Sequence, residues 1–410
     1  MTGIEAINVY CGLARLPVPA LFAGRGLDPA RLDHLMMTER SVGLPCEDPV
    51  SNAVNAARPV VDALSPEERD SIELLVTSSE SGIDYSKSIA SYVHAYLGLG
   101  RNCRVMEVKQ ACYAATGVLQ LAAGYLASGV SPGARALVIA TDVSMADARA
   151  GYAEPATGHG AAALLIGPDA RVLELDPGAF GLYSYETLDS ARPEPDRDIA
   201  DVDASLFAYL DCLSRSFADY RSRVADADWH TTFTRLALHT PFAGLVKAGH
   251  RKLTRELTGA GPDAVAADFA ERVAPSLHYP SRVGNLCSGS VYLALCSLID
   301  HLPPGAPPQR IGLFSYGSGC ASEFFSGLVG EGARQALAPA RIGERLAARV
   351  PIGFDEYTDL LAGNSRCLLP VADRDIDLAP YERFLTADPG RGRLLVHRGT
   401  KNYHRTYEWV

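Results

Sequence analysis

Short apolar runs rich in β-branched residues alternate along the chain with longer stretches rich in alanine and leucine. The short runs predict strands and the longer stretches predict helices. This rhythm is typical of an α/β protein. The predicted strands are 72–79, 103–108, 136–142, 161–167, 235–240 and 311–317, and the predicted helices are 49–64, 113–128, 205–224 and 289–302.

A weak internal repeat runs through these elements. In the first half, the small-residue turn QACYAATG opens an apolar helix that precedes the strand ALVIATD; in the second, GNLCSGSVYLAL opens a helix that precedes IGLFSYG. Cys112 and Ser288 are 176 residues apart, and Leu137 and Ile311 are 174 apart. Two copies of one βα unit predict a pseudo-twofold fold with facing helix N-termini, the alternative being coincidence between two common small-residue helices.

Polar, proline-rich stretches mark the predicted boundaries. SARPEPDRDIADVD (190–203) is predicted to be a surface connection between the halves, and LPPGAPPQR (302–310) a turn before a strand. We therefore expect an N-terminal half over 1–190, a C-terminal half over 191–340, and a cap over 341–410 that completes the second half.

Composition and charge narrow the class of protein. A chain of 410 residues, 47% hydrophobic and 21% charged, can bury a large core, which excludes disorder. Its start does not resemble a signal peptide and its longest apolar runs are too short to span a bilayer, so we expect a soluble, cytoplasmic protein. Nine cysteines without a C-x-x-C pair indicate neither a disulfide framework nor a zinc site. The net charge of −10 argues against a general nucleic-acid binder.

Three residues at predicted strand ends carry candidate chemistry. Cys112 lies where a strand passes into a helix, whose dipole favours the thiolate, although a buried structural cysteine is the alternative. Glu80 ends the first predicted strand, either as a site carboxylate or as an acid at the start of the next helix. His239 ends the strand RLALHT, either as a general acid or base or as a core histidine.

Two further segments add polar groups. Asn285 precedes the second small-residue helix and could orient a carbonyl oxygen, and the turn SYGSGCAS (315–322) offers backbone N–H groups for an oxyanion hole, although tight turns use the same residues. Walker A, dinucleotide-binding, H-E-x-x-H and G-x-S-x-G motifs are absent. A thiol, a carboxylate, an imidazole and an amide together suit a carbon–carbon bond-forming acyl transfer.

Several blocks resemble the 3-hydroxy-3-methylglutaryl-coenzyme A synthase family of the thiolase superfamily, in family order from the first strand to the tail YHRTYEW. They are TSSESGIDYSKS, EVKQACYAATGVLQLA, ATDVS, EPATGHGAA, HTPF, VGN and GLFSYGSG. The resemblance implies a thiolase-like α/β fold, with two pseudo-repeated βα halves in a layered αβαβα arrangement, and a homodimer. It implies that Cys112 is the acetylated nucleophile, Glu80 the general acid/base, and His239 the residue that contacts the acceptor.

The same resemblance assigns supporting residues. Asn285, Tyr316 and Ser318 would line the acyl pocket, and the amides of Cys112 and Ser318 would polarise the thioester oxygen. Asp142 would support the site. The resemblance also implies a further aspartate before the next helix. It would be either Asp201 or Asp203, since the alignment of the linker is ambiguous.

Two departures separate this chain from the mevalonate-pathway enzymes. The lysine that those enzymes carry five residues after the histidine is Gly244 here, and Lys247, the nearest lysine, is the candidate to bind substrate in its place. Their tyrosine after the G-N pair is Cys287. SLFAYLDCL and HTPFAGLVKAGHRK resemble the branch that installs β-branches on polyketides. That branch implies acetyl transfer from the phosphopantetheine of a donor acyl carrier protein to a β-keto group on an acceptor carrier protein, without a bound cofactor or metal. The alternatives are a mevalonate-pathway synthase that uses acetyl-CoA and acetoacetyl-CoA, and a non-catalytic scaffold that binds carrier proteins.

Basic residues against the acidic background are candidate contacts for acidic carrier proteins. His250, Arg251 and Lys252 follow the candidate histidine, and Arg25 belongs to a separate N-terminal group. An ordinary solvated surface is the alternative for each of them.

Overall fold

The computed structural model describes residues 2–143 and 153–410, so Ser144 of the ATDVS block lies outside the described residues. The strands are β1 (Gly3–Tyr10), β2 (Ala14–Pro17), β3 (Glu39–Val42), β4 (Ile72–Ser78), β5 (Arg104–Val108), β6 (Arg135–Val143), β7 (His159–Gly167), β8 (Leu173–Ser184), β9 (Ser190–Glu194), β10 (Arg197–Ala200), β11 (Arg235–Leu238), β12 (Gln309–Gly317), β13 (Ala321–Val329), β14 (Val350–Pro351), β15 (Arg374–Asp375), β16 (Leu395–Lys401) and β17 (His404–Trp409). The helices are α1 (Val18–Arg25), α2 (Leu32–Leu35), α3 (Pro49–Asp62), α4 (Pro66–Asp70), α5 (Ile89–Leu97), α6 (Ala114–Ala127), α7 (Val202–Arg223), α8 (Ala243–Thr258), α9 (Pro262–Arg272), α10 (Pro280–Val283), α11 (Ser290–Asp300), α12 (Ala333–Leu337), α13 (Ile342–Ala348), α14 (Phe354–Asn364) and α15 (Glu382–Leu385).

A large mixed sheet runs through the molecule in the order β11-β12-β13-β8-β1-β7-β6-β4-β5. Strand β4 pairs in parallel with β5 and β6, and β11 pairs in parallel with β12. The two groups of strands meet where Gly3 and Ile4 of β1 pair with Glu174 and Leu173 of β8. The inner strands β6 and β7 are buried on both faces, which is why their sequences are almost continuously apolar.

Helices cover both faces of these strands in layers. Helices α6 and α11 lie in the central layer, and every residue of α11 from Ser290 to Ile299 is buried. Helices α3 and α5 cover the outer face of the first group of strands, and α7 and α8 cover that of the second. This helix–sheet–helix–sheet–helix order is the expected layered α/β arrangement.

The two halves are related as the internal repeat predicts. Ala111 and Cys287, 176 residues apart, both adopt left-handed backbone conformations, with φ of 42° and 49°, just before α6 and α11. Thr116 and Tyr292 have the same separation, and their hydroxyl groups share a hydrogen bond of 2.9 Å. The equivalent helices therefore face each other across the centre of the molecule.

The predicted strands and helices are all present, but two connections differ from expectation. Residues 190–203 form a hairpin of β9 and β10 and the start of α7, and this hairpin reaches the site described below. The C-terminal cap packs mainly on the first half rather than completing the second, since β14 pairs with β2, and Tyr357, Phe384 and Leu395 join the cluster around α3 and α5. Strand β8 pairs with β13 and so belongs with the second group of strands, although it precedes residue 190, the predicted boundary between the halves. Within the described residues, no helix combines the length and apolarity needed to cross a bilayer.

Candidate active site

Cys112 and Glu80 lie side by side at the end of the first half's strands. Glu80 follows β4, and Cys112 follows the left-handed residue Ala111 in the turn that leads into α6. The Cys112 thiol donates a hydrogen bond to Glu80 Oε1 at 3.0 Å. The structure therefore brings the predicted nucleophile and the predicted acid/base into direct contact.

A second thiol borders this pair. The Sγ atoms of Cys112 and Cys287 and a carboxylate oxygen of Glu80 all lie within 4.8 Å of one another, close enough to hold a metal ion in principle. Hydrogen bonding from Cys287 lowers the pKa of Cys112, but burial and the neighbouring charges of Glu80 and Asp142 outweigh it and raise that pKa to about 12. At neutral pH Cys112 is therefore a thiol that must lose its proton as it attacks.

Asp142, at the end of β6, fixes the segment that carries Glu80. Its Oδ1 accepts a hydrogen bond from the Glu80 backbone N–H at 2.7 Å and another from the Ser81 hydroxyl at 3.0 Å. Burial and the nearby charge of Glu80 raise the pKa of Asp142 to about 8. The predicted supporting acid therefore acts on the backbone and loop that position Glu80.

Arg192 was not among the sequence candidates, because its proline-rich segment predicted a surface connection. It lies on β9, with 10% of its side chain exposed, and makes a bidentate ion pair with Asp198 on β10. Its Nη1 donates to the Ser81 hydroxyl at 2.9 Å. The hairpin thus brings a positive charge next to the segment that carries Glu80.

The turn that ends β12 packs directly against the backbone around Cys112. A Cβ atom on Gly317 would lie 2.6 Å from both the Gln110 carbonyl oxygen and the Tyr113 nitrogen, so only glycine allows this approach. Ser318 follows in the same turn. The predicted pair of amides, from Cys112 and Ser318, thus belongs to two segments in close contact.

Tyr316 is held by an aspartate that the sequence analysis did not identify. Its hydroxyl donates a short hydrogen bond to Asp189 Oδ2, while Asp189 Oδ1 accepts from the Gly319 N–H at 2.8 Å. Burial, followed by the hydrogen bond and charge of Asp189, raises the pKa of Tyr316 well above its usual range. Asp201, one of the two aspartates suggested by the resemblance, instead caps α7 by accepting from the Ala204 N–H at 2.9 Å.

His239 follows β11 and is buried. Its backbone N–H donates to the Phe314 carbonyl at 2.7 Å, and its backbone carbonyl accepts from the Tyr209 hydroxyl at 2.9 Å. The centroid of its ring lies 6.3 Å from that of the Tyr316 ring. Its Nδ1 has no hydrogen-bond partner among the described residues. Burial lowers the pKa of His239 to about 3, so the ring is neutral at physiological pH and can donate a hydrogen bond without carrying charge.

Asn285 is oriented by its own loop. Its Oδ1 accepts from the Cys287 N–H at 3.0 Å and from the Ser290 hydroxyl at 2.7 Å. Its backbone N–H donates to the Ala156 carbonyl at 2.7 Å, which ties it to the EPATG segment. With Oδ1 occupied, Nδ2 is the remaining hydrogen-bonding group of this side chain.

The backbone of α2 packs directly against Gly244, the position to which the resemblance assigns a lysine in the mevalonate-pathway enzymes. A Cβ atom there would lie 1.8 Å from the His34 carbonyl oxygen. Lys247 is exposed, and its Nζ lies 5.7 Å above the ring of Phe269 on α9. The structure therefore does not move Lys247 into the place of the missing lysine.

The predicted carrier-protein contacts differ in accessibility. His250 is fully buried, with Nε2 2.6 Å from Asp268, so the prediction that it contacts a carrier protein is wrong: a docking protein cannot reach it. Arg25 makes a bidentate ion pair with the buried Glu154 and keeps 21% of its side chain exposed. Lys252 pairs with Glu256. Arg251 is exposed and lies one turn after Lys247 on α8.

Comparison with protein families finds two matches along the chain. Residues 49–171 match the family described as hydroxymethylglutaryl-coenzyme A synthase N terminal, and residues 253–369 match its C-terminal counterpart. The first segment contains Glu80, Cys112 and Asp142, and the second contains Asn285, Tyr316 and Ser318.

Individual proteins extend the similarity to the whole chain. The polyketide biosynthesis 3-hydroxy-3-methylglutaryl-ACP synthase PksG of Bacillus subtilis is 44% identical, covering 100% of this chain and 99% of its own. The hydroxymethylglutaryl-CoA synthase of Enterococcus faecalis is 30% identical over 92% of this chain and 93% of its own. Among solved structures, the HMG synthase of the curacin biosynthetic pathway in complex with acetyl donor-ACP superposes with a TM-score of 0.96 at 44% identity, covering both chains completely.

Proposed function

The chain belongs to the hydroxymethylglutaryl-CoA synthase family, and from this premise we propose that it is an enzyme of polyketide β-branching. It transfers acetyl from a donor acyl carrier protein to Cys112 and condenses it with the β-keto group of a polyketide on an acceptor carrier protein. Hydrolysis then releases a 3-hydroxy-3-carboxymethyl thioester. The observation that carries the catalytic part of this proposal is the 3.0 Å hydrogen bond between the Cys112 thiol and Glu80.

In the first step, the Cys112 sulfur attacks the acetyl thioester of the donor's phosphopantetheine. The thiol proton passes to Glu80, which already accepts its hydrogen bond. The carrier's sulfur leaves and takes this proton from Glu80, so the products are acetyl-Cys112, the free pantetheine thiol and a Glu80 carboxylate. The amides of Cys112 and Ser318 stabilise the negative oxygen of the intermediate.

In the second step, Glu80 removes a proton from the methyl group of acetyl-Cys112. The enolate carbon adds to the β-keto carbon of the acceptor, and the new alkoxide recovers the proton from Glu80. His239 is neutral, so we assign it a hydrogen bond to the acceptor's oxygen and assign the proton transfer to Glu80. Asn285 orients the acceptor, and water finally cleaves the thioester bond to Cys112, leaving a carboxylate on the product and a thiol on the enzyme.

A carrier-protein substrate is supported by two observations. The match to PksG is stronger than the match to the Enterococcus faecalis synthase, at 44% against 30% identity. In addition, α2 occupies the space around Gly244 that a lysine side chain would need. A mevalonate-type enzyme using acetyl-CoA and acetoacetyl-CoA remains the alternative for the test below.

The carrier-protein surface is proposed on α8 and α9. Lys247, Arg251 and Arg255 are exposed at four-residue spacing on α8, and they line a groove whose other wall includes Val265 and Phe269 of α9. A basic patch beside apolar side chains suits an acidic carrier protein. We further propose a homodimer formed through the sheet edge β5, where Met106 and, on α6, Leu121 are exposed.

Intact-protein mass spectrometry tests the function. The enzyme is exposed briefly to acetyl-carrier protein or, separately, to acetyl-CoA, and the acetyl adduct is localised by peptide mapping. Faster loading of Cys112 from the carrier protein supports the proposal. Equal or faster loading from acetyl-CoA favours the mevalonate-type enzyme, and the absence of any adduct favours a scaffold.

A further inference from the structure

A cavity of about 340 Å³ lies apart from the catalytic groups, between α3, α13, the end of β1 and the segment before β16. None of the proposed catalytic or acyl-binding residues lines it. Its volume falls in the range of small-molecule sites, roughly 300–1,000 Å³. Its lining includes Arg58, Arg345, Arg349, Arg391 and Arg393, together with the acid Asp62.

Three of these arginines have guanidinium nitrogens without hydrogen-bond partners among the described residues. They are Nε of Arg345, Nη1 of Arg349 and Nε of Arg391, the last of which still forms an ion pair with Asp388. Arg349 is 2% exposed, and the Arg391 side chain is 8% exposed, so bulk water has little access to these nitrogens. Buried donors without acceptors are costly, so an anion that brought acceptors to these side chains would be stabilising.

The acids nearby are already occupied. Asp62 accepts from Arg58 Nε at 3.0 Å, and Glu39 pairs with Arg15, Arg282 and Arg349. The carboxylate nearest to Arg391 is Asp388, with an Nε–Oδ2 distance of 3.5 Å. The cavity therefore carries more positive than negative charge.

The pKa values of two arginines agree with this imbalance. Burial, with the nearby charge of Arg391 adding to it, lowers the pKa of Arg345. Burial also lowers the pKa of Arg349 to about 10, and the charges of Arg282 and Arg15 act in the same direction. A bound anion would relieve both effects.

We propose that this cavity is a binding site for a small phosphate compound, either a phosphate ester or pyrophosphate. Guanidinium groups bind phosphate oxygens in pairs, and several converging arginines select a multiply charged anion over a monocarboxylate. The occupant would join α13 and the segment 391–394 to α3, and so would stabilise the contact between the C-terminal cap and the first half.

Isothermal titration calorimetry with pyrophosphate, at constant ionic strength, tests the site. We expect binding to the wild-type protein, and affinity at least about tenfold weaker in Arg345→Met and in Arg391→Met. Arg391→Lys, which keeps the charge but loses the paired geometry, should fall between. Arg383→Met is the matched control, because Arg383 is exposed and pairs with Glu356 outside the cavity.

Three outcomes would overturn the proposal: no heat from millimolar pyrophosphate, unchanged affinity in both cavity variants, or equal affinity for pyrophosphate and citrate, which would make the site a general anion site. If Arg345→Met does not fold, Arg391→Met and Arg391→Lys decide the matter. Acetyl loading of Cys112 should be unchanged in Arg391→Met; a specific loss there would place the cavity on the substrate's route instead. The proposed phosphate site does not depend on whether the proposed condensation is correct.

Discussion

The thiol of Cys112 donates its hydrogen bond to Oε1 of Glu80 at 3.0 Å. Cys112, the proposed nucleophile of the first step, and Glu80, the proposed base of the second, are therefore hydrogen-bonded to each other without any substrate. Because the pKa of Cys112 is raised to about 12, the carboxylate must take the thiol proton during attack rather than meet a preformed thiolate.

Replacement of Cys112 by serine should abolish acetyl-enzyme formation, since a hydroxyl is a far weaker nucleophile here than a thiol. We expect loading to fall by at least about a thousandfold. Intact-protein mass spectrometry after exposure to acetyl-carrier protein measures this. Cys103→Ser is the control, because Cys103 lies next to β5 and outside the site; an acetyl adduct persisting in Cys112→Ser would place the nucleophile elsewhere.

Glu80→Gln should separate the two steps. Condensation should fall by about 10²- to 10⁴-fold, because the amide cannot remove a methyl proton. Acetyl-enzyme should still accumulate, but more slowly, because the acceptor for the thiol proton is lost. Product formation and adduct mass are measured in the same samples, with Glu67→Gln on α4 as the control. Condensation near the wild-type rate would show that Glu80 is not the base.

The condensation rate should show no histidine titration near neutral pH. Burial lowers the pKa of His239 to about 3, so its ring stays neutral and its hydrogen-bonding role stays unchanged from about pH 5 to pH 8. The rate of condensation of preformed acetyl-enzyme is measured across this range. A break near pH 6.5 that disappears in His239→Asn would contradict the assignment.

Gly244→Ala should destabilise the protein by about 2 kcal/mol or more, because its Cβ would overlap the His34 carbonyl oxygen. Gly124→Ala on α6 is the matched helical control, since no atom lies within 4 Å of its added Cβ, and it should be neutral or stabilising. Urea unfolding midpoints compare the two. Equal midpoints would mean that α2 yields easily and that Gly244 does not exclude a lysine.

Reversal of charge at Arg251 should weaken carrier-protein use without affecting small substrates. For Arg251→Glu we expect KM for acetyl-carrier protein to rise by about tenfold, while loading from acetyl-pantetheine stays unchanged. Arg171→Glu, also exposed but between β7 and β8, is the control. An equal loss of loading from both donors would mean that Arg251 contributes to the substrate pocket or to the stability of the fold.

Periodicity and composition were sufficient for the framework of the fold. The strands before Glu80 and His239 are buried on both faces, so their apolar runs end abruptly where the chain reaches the site. These abrupt ends made Glu80 and His239 candidates, whereas the joint roles of Glu80 and Cys112 were implied by the resemblance to the synthase family.

Other features depend on contacts that the local sequence does not encode. Asp189 and Arg192 lie beside a proline-rich segment whose polarity predicted a solvent-exposed connection, yet its hairpin folds over the site. His250 belongs to a basic run, but its partner Asp268 comes from α9, so its burial follows only from how two helices pack. The packing of the cap on the first half likewise depends on β14 pairing with a distant strand.

The second thiol beside the nucleophile makes the pocket a close dithiol. A reagent that binds two thiols, such as a trivalent arsenical, can bridge Cys112 and Cys287. With a tyrosine at position 287, the same reagent would find only one sulfur. Chelating reagents of this kind should therefore select this protein over relatives with a single thiol in the pocket. Cys287, one of the two departures from the mevalonate-pathway pattern, thus also provides a second sulfur for an inhibitor to bind.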